Sequence, residues 1–441
     1  MAFITMLIAS LWNSIYVLTI YLSSRRACTL PKSKEQCALR SISVVVPCRN
    51  EPEKLVAKWL RMEIPSIDYE VVIVIDDPVK RVRKMIEDVG LSERTIVICR
   101  INGVGGRSGA LTDGARFASK RNIMVLDVDA EADVQVFYEA AECCDVCVFR
   151  WDPYTSVNTR VEEAMAFITG FGSWLFYEMR SKRFFVYPLG SGTVIRRDIL
   201  KDVGYWDRDI IQDDIWLGVK LMRRGIMPKL ASRSIGVGVP FDMRGVKIQQ
   251  CRWGYGAIDV AIRGFKDILR APIPLTLRIE ALSYILQPLQ GLLALLAIVF
   301  LVLAVVMQSG YEPLNIALIA IVILLSALTP SGVIMSIYGR IRGLDLWRRM
   351  VLAGRSAAIM SAVAPLVGVY VLAALLRLRI SYKITPKEGI GGGILDPITL
   401  AIVCILGIVL VVSIMKMLTL VAMLSMMMLV PHIYCFIRAR T

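Results

Sequence analysis

The sequence predicts an α/β domain with a mainly parallel sheet, set between apolar helices that cross a membrane. Three observations lead there. Strand-like apolar runs alternate with polar turns and helical stretches between residues 40 and 270. Long charge-poor runs occupy Ala2–Leu22 and much of the chain after about Ile279. Acidic residues gather just after the strand-like runs, at the carboxyl ends where open α/β sheets place their ligands.

Composition sets the division. The 441 residues are 56% hydrophobic with a mean hydropathy of +0.59, too apolar for a protein soluble throughout, while the 20% of charged residues are too many for one buried in lipid throughout. Residues 1–24 read as an uncleaved anchor, because neither a basic leader nor a small-residue cleavage site accompanies the apolar run. Much of the net charge of +15 lies beside apolar segments: Arg25, Arg26, Lys32 and Lys34, then Arg340, Arg342, Arg348, Arg349 and Arg355. Such placement orients a membrane protein and holds anionic lipid head groups; with no nucleic-acid motif present, nucleic acid is excluded as a partner. The positive-inside rule then puts the chain from residue 25 onward, and with it the α/β domain, in the cytoplasm.

Ten cysteines show one grouping, Cys143-Cys144-x-x-Cys147, and the sole histidine is His432, within the last apolar segment. Zinc would need further ligands, so the group reads as buried thiols or a local redox pair. Few Asn and Gln beside abundant Ile, Val and Arg hint at a thermophile.

Taken in order, the soluble part (25–245) opens with Ile42-Ser-Val-Val-Val-Pro47-Cys-Arg49-Asn50-Glu51, a strand running into a polar turn. A second strand, Val71–Ile75, ends in Asp76-Asp77, and a third, Thr95–Cys99, leads into a glycine-rich turn with Arg107. That turn is no phosphate loop, since Ala110 follows Gly109 where Lys-Ser is required; Ser108 likewise spoils a dinucleotide fingerprint. A fourth strand, Asn122-Ile-Met-Val-Leu, delivers Asp127-Val-Asp129-Ala-Glu131, whose carboxylates at i and i+2 can both reach one hard cation. The alternative is a solvated Asp-rich turn. A further strand near Asp145–Arg150, a helix near Arg160–Met179 and the stretch Pro188-Leu-Gly190-Ser-Gly192-Thr-Val-Ile-Arg196-Arg197 follow. Asp213-Asp214 then precede an amphipathic helix ending at Gly225, where they could serve only as caps that offset the helix dipole.

Residues 246–280 read as interface helices that carry Gln249-x-x-Arg252-Trp253, by themselves compatible with a simple head-group anchor. Residues 281–441 form a transmembrane region with spans at about 281–307, 313–338, 396–413 and 416–435. With the anchor, that makes five. Segment 345–377 is flanked by basic residues on both sides, which predicts an interfacial or re-entrant stretch rather than a span.

In this order the pieces resemble the family 2 glycosyltransferases of the membrane-embedded, cellulose-synthase-like branch, which includes cellulose, chitin and hyaluronan synthases. The likeness rests on Val-Pro47-x-Arg-Asn-Glu51, Asp76-Asp77, Arg107-Ser-Gly-Ala-Leu, Asp127-x-Asp129, Gly190–Arg197, Asp213-Asp214 with Leu217-Gly, and Gln249-x-x-Arg252-Trp253. Tyr382-Lys-Ile-Thr385-Pro-Lys387, within a loop at 380–392, is similar to the branch's gating-loop motif. Arg107 stands where Lys is usual, Gln212-Asp213-Asp214 replaces Thr-Glu-Asp, and the usual Gly-Ser near Asp76-Asp77 is missing.

The resemblance implies a GT-A (Rossmann-like) cytoplasmic domain joined to an α-helical transmembrane bundle through amphipathic interface helices. It implies inverting transfer of a hexose from a nucleotide diphosphate sugar, with Mg²⁺ or Mn²⁺ as cofactor. Pro47, Arg49, Glu51, Asp76, Asp77, Arg107 and Asp127 would bind the donor. Asp127, Asp129 and, as an additional ligand, Glu131 would hold the metal. Asp214 would be the general base with Asp213 raising its proton affinity, and Gln249, Arg252, Trp253, Thr385 and Lys387 would meet the acceptor or the diphosphate. Two products are compatible with these residues: one hexose added to a lipid-linked (polyprenyl or dolichyl) glycan or lipid phosphate, or a polysaccharide made processively and exported. An archaeal thermophile would make GDP-mannose a reasonable donor for the first, whereas a UDP-sugar suits the second. A decayed, non-catalytic scaffold would have lost its acids, and every acid position is filled.

Overall fold

The computed structural model of the protein describes residues 1–25, 40–308, 313–380 and 397–438. Its centre is a seven-stranded sheet: β1 (Ser41–Cys48), β2 (Asp68–Ile75), β3 (Thr95–Cys99), β4 (Asn122–Val125), β5 (Val146–Tyr154), β6 (Thr193–Arg196) and β7 (Lys229–Gly238), in the spatial order β3-β2-β1-β4-β6-β5-β7. β1 pairs in parallel with β2 on one side and with β4 on the other, and β2 with β3. The chain therefore leaves β1 in one direction and returns on its far side. Such a reversal opens a crevice beyond the carboxyl ends of β1 and β4.

The central strands are almost continuously apolar because helices cover both faces. Side chains alternate across the sheet: Ile42, Val44, Val46, Val71, Ile73 and Ile75 enter the core on one face, and Val45, Val72 and Val74 that on the other. One strand of the seven departs from the otherwise parallel sheet. β6 runs antiparallel to both β4 and β5, and β7 pairs in parallel with β5. Within Gly190–Arg197 the chain doubles back beside β4 as β6, with Gly192 N–H donating to the Val125 carbonyl at 2.8 Å.

From β7 the chain enters the 28-residue helix Met243–Arg270, the interface helix, and then the helices Leu275–Ile285 and Leu289–Val306. The expected span at 281–307 is thus broken near Pro288. Among the described residues six helices are long and apolar enough to cross a membrane: Ala2–Arg25, Leu289–Val306, Leu314–Ile341, Leu346–Leu375, Pro397–Met415 and Thr419–Ile437. The fourth falls on segment 345–377, read from the sequence as interfacial or re-entrant; it is one uninterrupted 30-residue helix despite Pro365, long and apolar enough to cross. The basic flank that argued against a span is partly paired within the protein: Arg355 and Arg348 reach Glu163 at 2.8 and 3.5 Å, and nearby Arg342 reaches Asp152 at 3.3 Å. Those pairs join the apolar bundle to the sheet domain.

A second junction is fully enclosed. Arg180 donates Nε to Glu280 Oε1 at 2.7 Å and Nη2 to Oε2 at 2.9 Å, while Tyr16 of the first helix donates to Glu280 Oε1 at 2.7 Å. The guanidinium lies 4.2 Å over the Tyr284 ring. N-terminal helix, sheet domain and the helix Leu275–Ile285 meet at this one ion pair.

Candidate active site

β4 is only four residues long, and the chain it releases is fastened at successive positions. Asp127 N–H donates to Ser191 Oγ at 3.0 Å; the Val128 carbonyl accepts from Trp59 Nε1, that of Asp129 from Tyr154 Oη, and that of Ala130 from Lys58 Nζ, each at 2.8 Å. Glu131 then exchanges both backbone hydrogen bonds with Gly236 of β7, at 2.9 and 2.7 Å. Four separate stretches thus hold the turn, the condition under which carboxylates keep a productive geometry. Gly238 gives Asp129 its room: a Cβ there would lie 3.1 Å from Asp129 Oδ2.

Beyond this turn lies a cavity of about 550 Å³. Asp127, Asp129, Arg107, Asp213, Asp214, Gln249, Arg252 and Trp253 all line it, so eight expected site residues from four separate stretches converge. Arg107 is the link among them. It stands in the first turn of the helix Gly106–Phe117 and donates Nη1 to Asp213 Oδ2 at 2.5 Å and Nη2 to Asp127 Oδ1 at 3.0 Å. Nη2 also donates to the Gly190 carbonyl.

Asp213 and Asp214 open the helix Asp213–Arg223. Asp213 does not cap it; its carboxylate is turned to Arg107. Asp214 Oδ1 accepts from Ile215 N–H at 2.7 Å and from Gln212 Nε2 at 2.9 Å. Removal from water, and secondarily the negative charge of Asp213, push the Asp214 carboxyl up to about 6. Like-charge repulsion, the cause expected from the sequence, is therefore the lesser one.

Other expected residues lie outside the cavity wall. Pro47 sits in β1 opposite Val74 of β2, and Arg49 is exposed beyond its end. Asp76 forms a two-pronged pair with Arg100, both bonds 2.6 Å. Asp77 accepts from Asn50 N–H at 2.6 Å and meets Arg81 at 3.2 Å, and the Glu51 carbonyl accepts from Arg81 at 2.8 Å. These residues form an adjoining cluster at the ends of β1 and β2. Thr385 and Lys387 lie outside the described residues.

Glu131, expected as an additional ligand, is exposed and does not line the cavity, and among the described residues no group of three Asp, Glu, His or Cys could hold a metal ion. Asp127 and Asp129 still fit a hard cation that takes one or two carboxylates and completes its shell with phosphate oxygens and water.

The sequence reading missed Lys54, Trp151, Tyr154, Thr169 and Gln212, all of which line the cavity. Trp151 donates its indole N–H to the Ser191 carbonyl at 2.8 Å, and its ring centroid lies 6.3 Å from that of Trp253. A signal was available: Trp151-Asp-Pro-Tyr154 directly follows an apolar strand, where aromatic side chains turn toward a crevice.

Comparison with known proteins agrees with this arrangement. Residues 123–330 match the family described as Glycosyl transferase family group 2. A probable glycosyltransferase of Sulfolobus acidocaldarius is 28% identical over 387 residues, 85% of this chain and 83% of the relative. A poly-beta-1,6-N-acetyl-D-glucosamine synthase of Staphylococcus epidermidis is 27% identical over 270 residues, 57% of this chain and 63% of the relative. Among solved structures, a mannosyltransferase of Pyrobaculum calidifontis in complex with GDP-Man and Mn²⁺ superposes with a TM-score of 0.54 at 16% identity, covering 86% of this chain and 99% of that one. Over residues 123–330 the chain matches a family 2 glycosyltransferase domain, and it shares the GT-A fold of the Pyrobaculum mannosyltransferase, here built onto a bundle of apolar helices.

Proposed function

We propose that the cavity binds a nucleotide diphosphate sugar together with Mg²⁺ or Mn²⁺ and transfers its hexose, with inversion, to a lipid-linked glycan or lipid phosphate at the cytoplasmic membrane face. The observation that carries this reading is the meeting of two acid pairs, Asp127 with Asp129 and Asp213 with Asp214, around one cavity and one arginine. Asp127 and Asp129 would hold the metal, which when bound offsets charge on the departing diphosphate. Arg107 and Arg252 present guanidinium groups suited to phosphate oxygens. The cluster around Pro47, Arg49, Glu51, Asp76 and Asp77 takes the nucleoside.

Asp214 takes the proton of the acceptor hydroxyl as the acceptor oxygen bonds to the anomeric carbon and the bond from that carbon to the diphosphate breaks. A carboxyl titrating near 6 is a stronger base than an ordinary aspartate and is still ionised at neutral pH. Trp253 and Trp151 offer apolar faces to the acceptor. GDP-mannose is our choice of donor, supported by the donor in the Pyrobaculum mannosyltransferase structure.

The processive reading has support in the synthase relatives and in the Gln-x-x-Arg-Trp motif. Single addition is favoured by the packing beside the interface helix. There the helices Leu289–Val306 and Leu346–Leu375 touch backbone to backbone: a Cβ on Gly368 would lie 2.3 Å from the Gly291 carbonyl oxygen. Thermal-shift titration of the purified protein with GDP, UDP and their sugars, with and without Mn²⁺, tests the donor. A ligand at a hundred times its Kd stabilises by about 2.7 kcal/mol. Metal-dependent stabilisation by guanosine nucleotides alone is expected; none by any nucleotide would overturn the reading. One sugar per lipid acceptor, against a ladder of products, decides between the two modes of addition.

A further inference from the structure

Arg107 does more than line the cavity. Its two terminal nitrogens are shared between Asp127 and Asp213, with a third bond to the Gly190 carbonyl. It therefore ties one carboxylate of the fastened turn to the acid beside Asp214. Four carboxylates, those of Asp127, Asp129, Asp213 and Asp214, face the same small volume. A guanidinium is the counter-charge that lets Asp127 and Asp213 lie one side chain apart.

From this geometry we infer that Arg107 is an internal counter-cation which competes with the metal for Asp127 and yields when a diphosphate arrives, so that metal and nucleotide bind as a pair. The inference rests on the reading of Asp127 and Asp129 as the metal's ligands. Two physical facts drive it. A divalent cation approaching Asp127 meets a fixed positive charge whose nearest nitrogen is 3.0 Å from the carboxylate oxygen, so metal alone enters against repulsion. A diphosphate offers the guanidinium a doubly bonded partner of higher charge than either aspartate, and so draws it off the carboxylate. The side chain is 20% exposed, enough freedom to make that exchange. Coupling of this kind is reciprocal: nucleotide must tighten metal binding by the factor by which metal tightens nucleotide binding. Lysine, usual in the resembling branch, has a single point charge and cannot span both acids with two nitrogens of one group.

The test is Mn²⁺ binding to the full-length protein in detergent, followed through the electron paramagnetic resonance signal of free Mn²⁺, with and without GDP or UDP. In the parent, nucleotide is expected to tighten Mn²⁺ binding about tenfold or more. In Arg107→Gln, Mn²⁺ alone binds several times more tightly than in the parent and the gain from nucleotide shrinks. Arg107→Lys lies between them, which guards against a misfolded Gln variant. If Arg107→Gln leaves metal-only binding unchanged or weaker, the counter-cation role is overturned while the metal site stands. If Asp127→Asn binds Mn²⁺ as the parent does, with nucleotide and without, the metal reading itself is overturned and this inference with it.

Discussion

Two arginine forks hold this protein, and they differ in what surrounds them. Arg180 is 0% exposed, clasped by Glu280 and covered by the Tyr284 ring. Arg107 is 20% exposed and divides its fork between Asp127 and Asp213 at the wall of a cavity. The first pair has no route to another partner, so its energy goes into joining membrane helices to the sheet. The second faces a volume that a charged substrate can enter, so its partners can change. Enclosure, more than chemistry, separates a structural ion pair from a functional one.

The comparison can be broken from either side. The largest effect is expected at Arg180: replacing it or Glu280 by Ala leaves one buried charge unpaired, at a cost of about 3–5 kcal/mol. Thermal unfolding in detergent should show a marked loss of stability, or the protein should fail to accumulate. Arg107→Ala is expected to do the reverse, with the unfolding temperature close to the parent's and sugar transfer reduced about 10²–10³-fold, the scale of a lost transition-state charge contact. A parent-like rate would show that Arg107 is merely structural.

A smaller effect is a shift along the pH axis. Asp214 acts in its ionised form, so kcat/KM should rise with pH through about 6 and level off above it. Asp213→Asn removes the repelling neighbour, which should move that limb to lower pH as well as slow the reaction. The same raised carboxyl makes the fold bind a proton more tightly than the unfolded chain, so this group's stabilising contribution is lost as pH rises from about 4 to about 6. The smallest effect belongs to the exposed pair of Arg342 with Asp152, where Arg342→Ala should cost less than about 1 kcal/mol in the same unfolding assay.

Much of the crevice was legible in the sequence because its parts are local. Val71–Ile75 and Ile123–Leu126 are apolar runs that end next to carboxylates, and strand plus acid is readable from neighbouring residues alone. What stayed hidden depends on distant partners. β6 has four residues and takes its role from lying between β4 and β5; β7 (Lys-Leu-Ala-Ser-Arg-Ser-Ile-Gly-Val-Gly) is too mixed to announce itself. The anchoring of the Glu131 backbone on Gly236, over a hundred positions along the chain, was equally out of reach of local spacing. The interfacial or re-entrant reading of 345–377 likewise weighed Arg348 and Arg355 only as flanking charges, whereas Glu163 pairs with both.

Asp214→Asn tests most directly the division of labour between the metal turn and the base. Sugar transfer and nucleotide binding are measured on the same purified variant. Transfer should fall about 10²–10⁴-fold, while nucleotide in the presence of Mn²⁺ binds as it does to the parent. Transfer at a rate near the parent's would contradict the assignment of Asp214 as the base, and nucleotide binding lost together with transfer would contradict the separation of donor and acceptor roles.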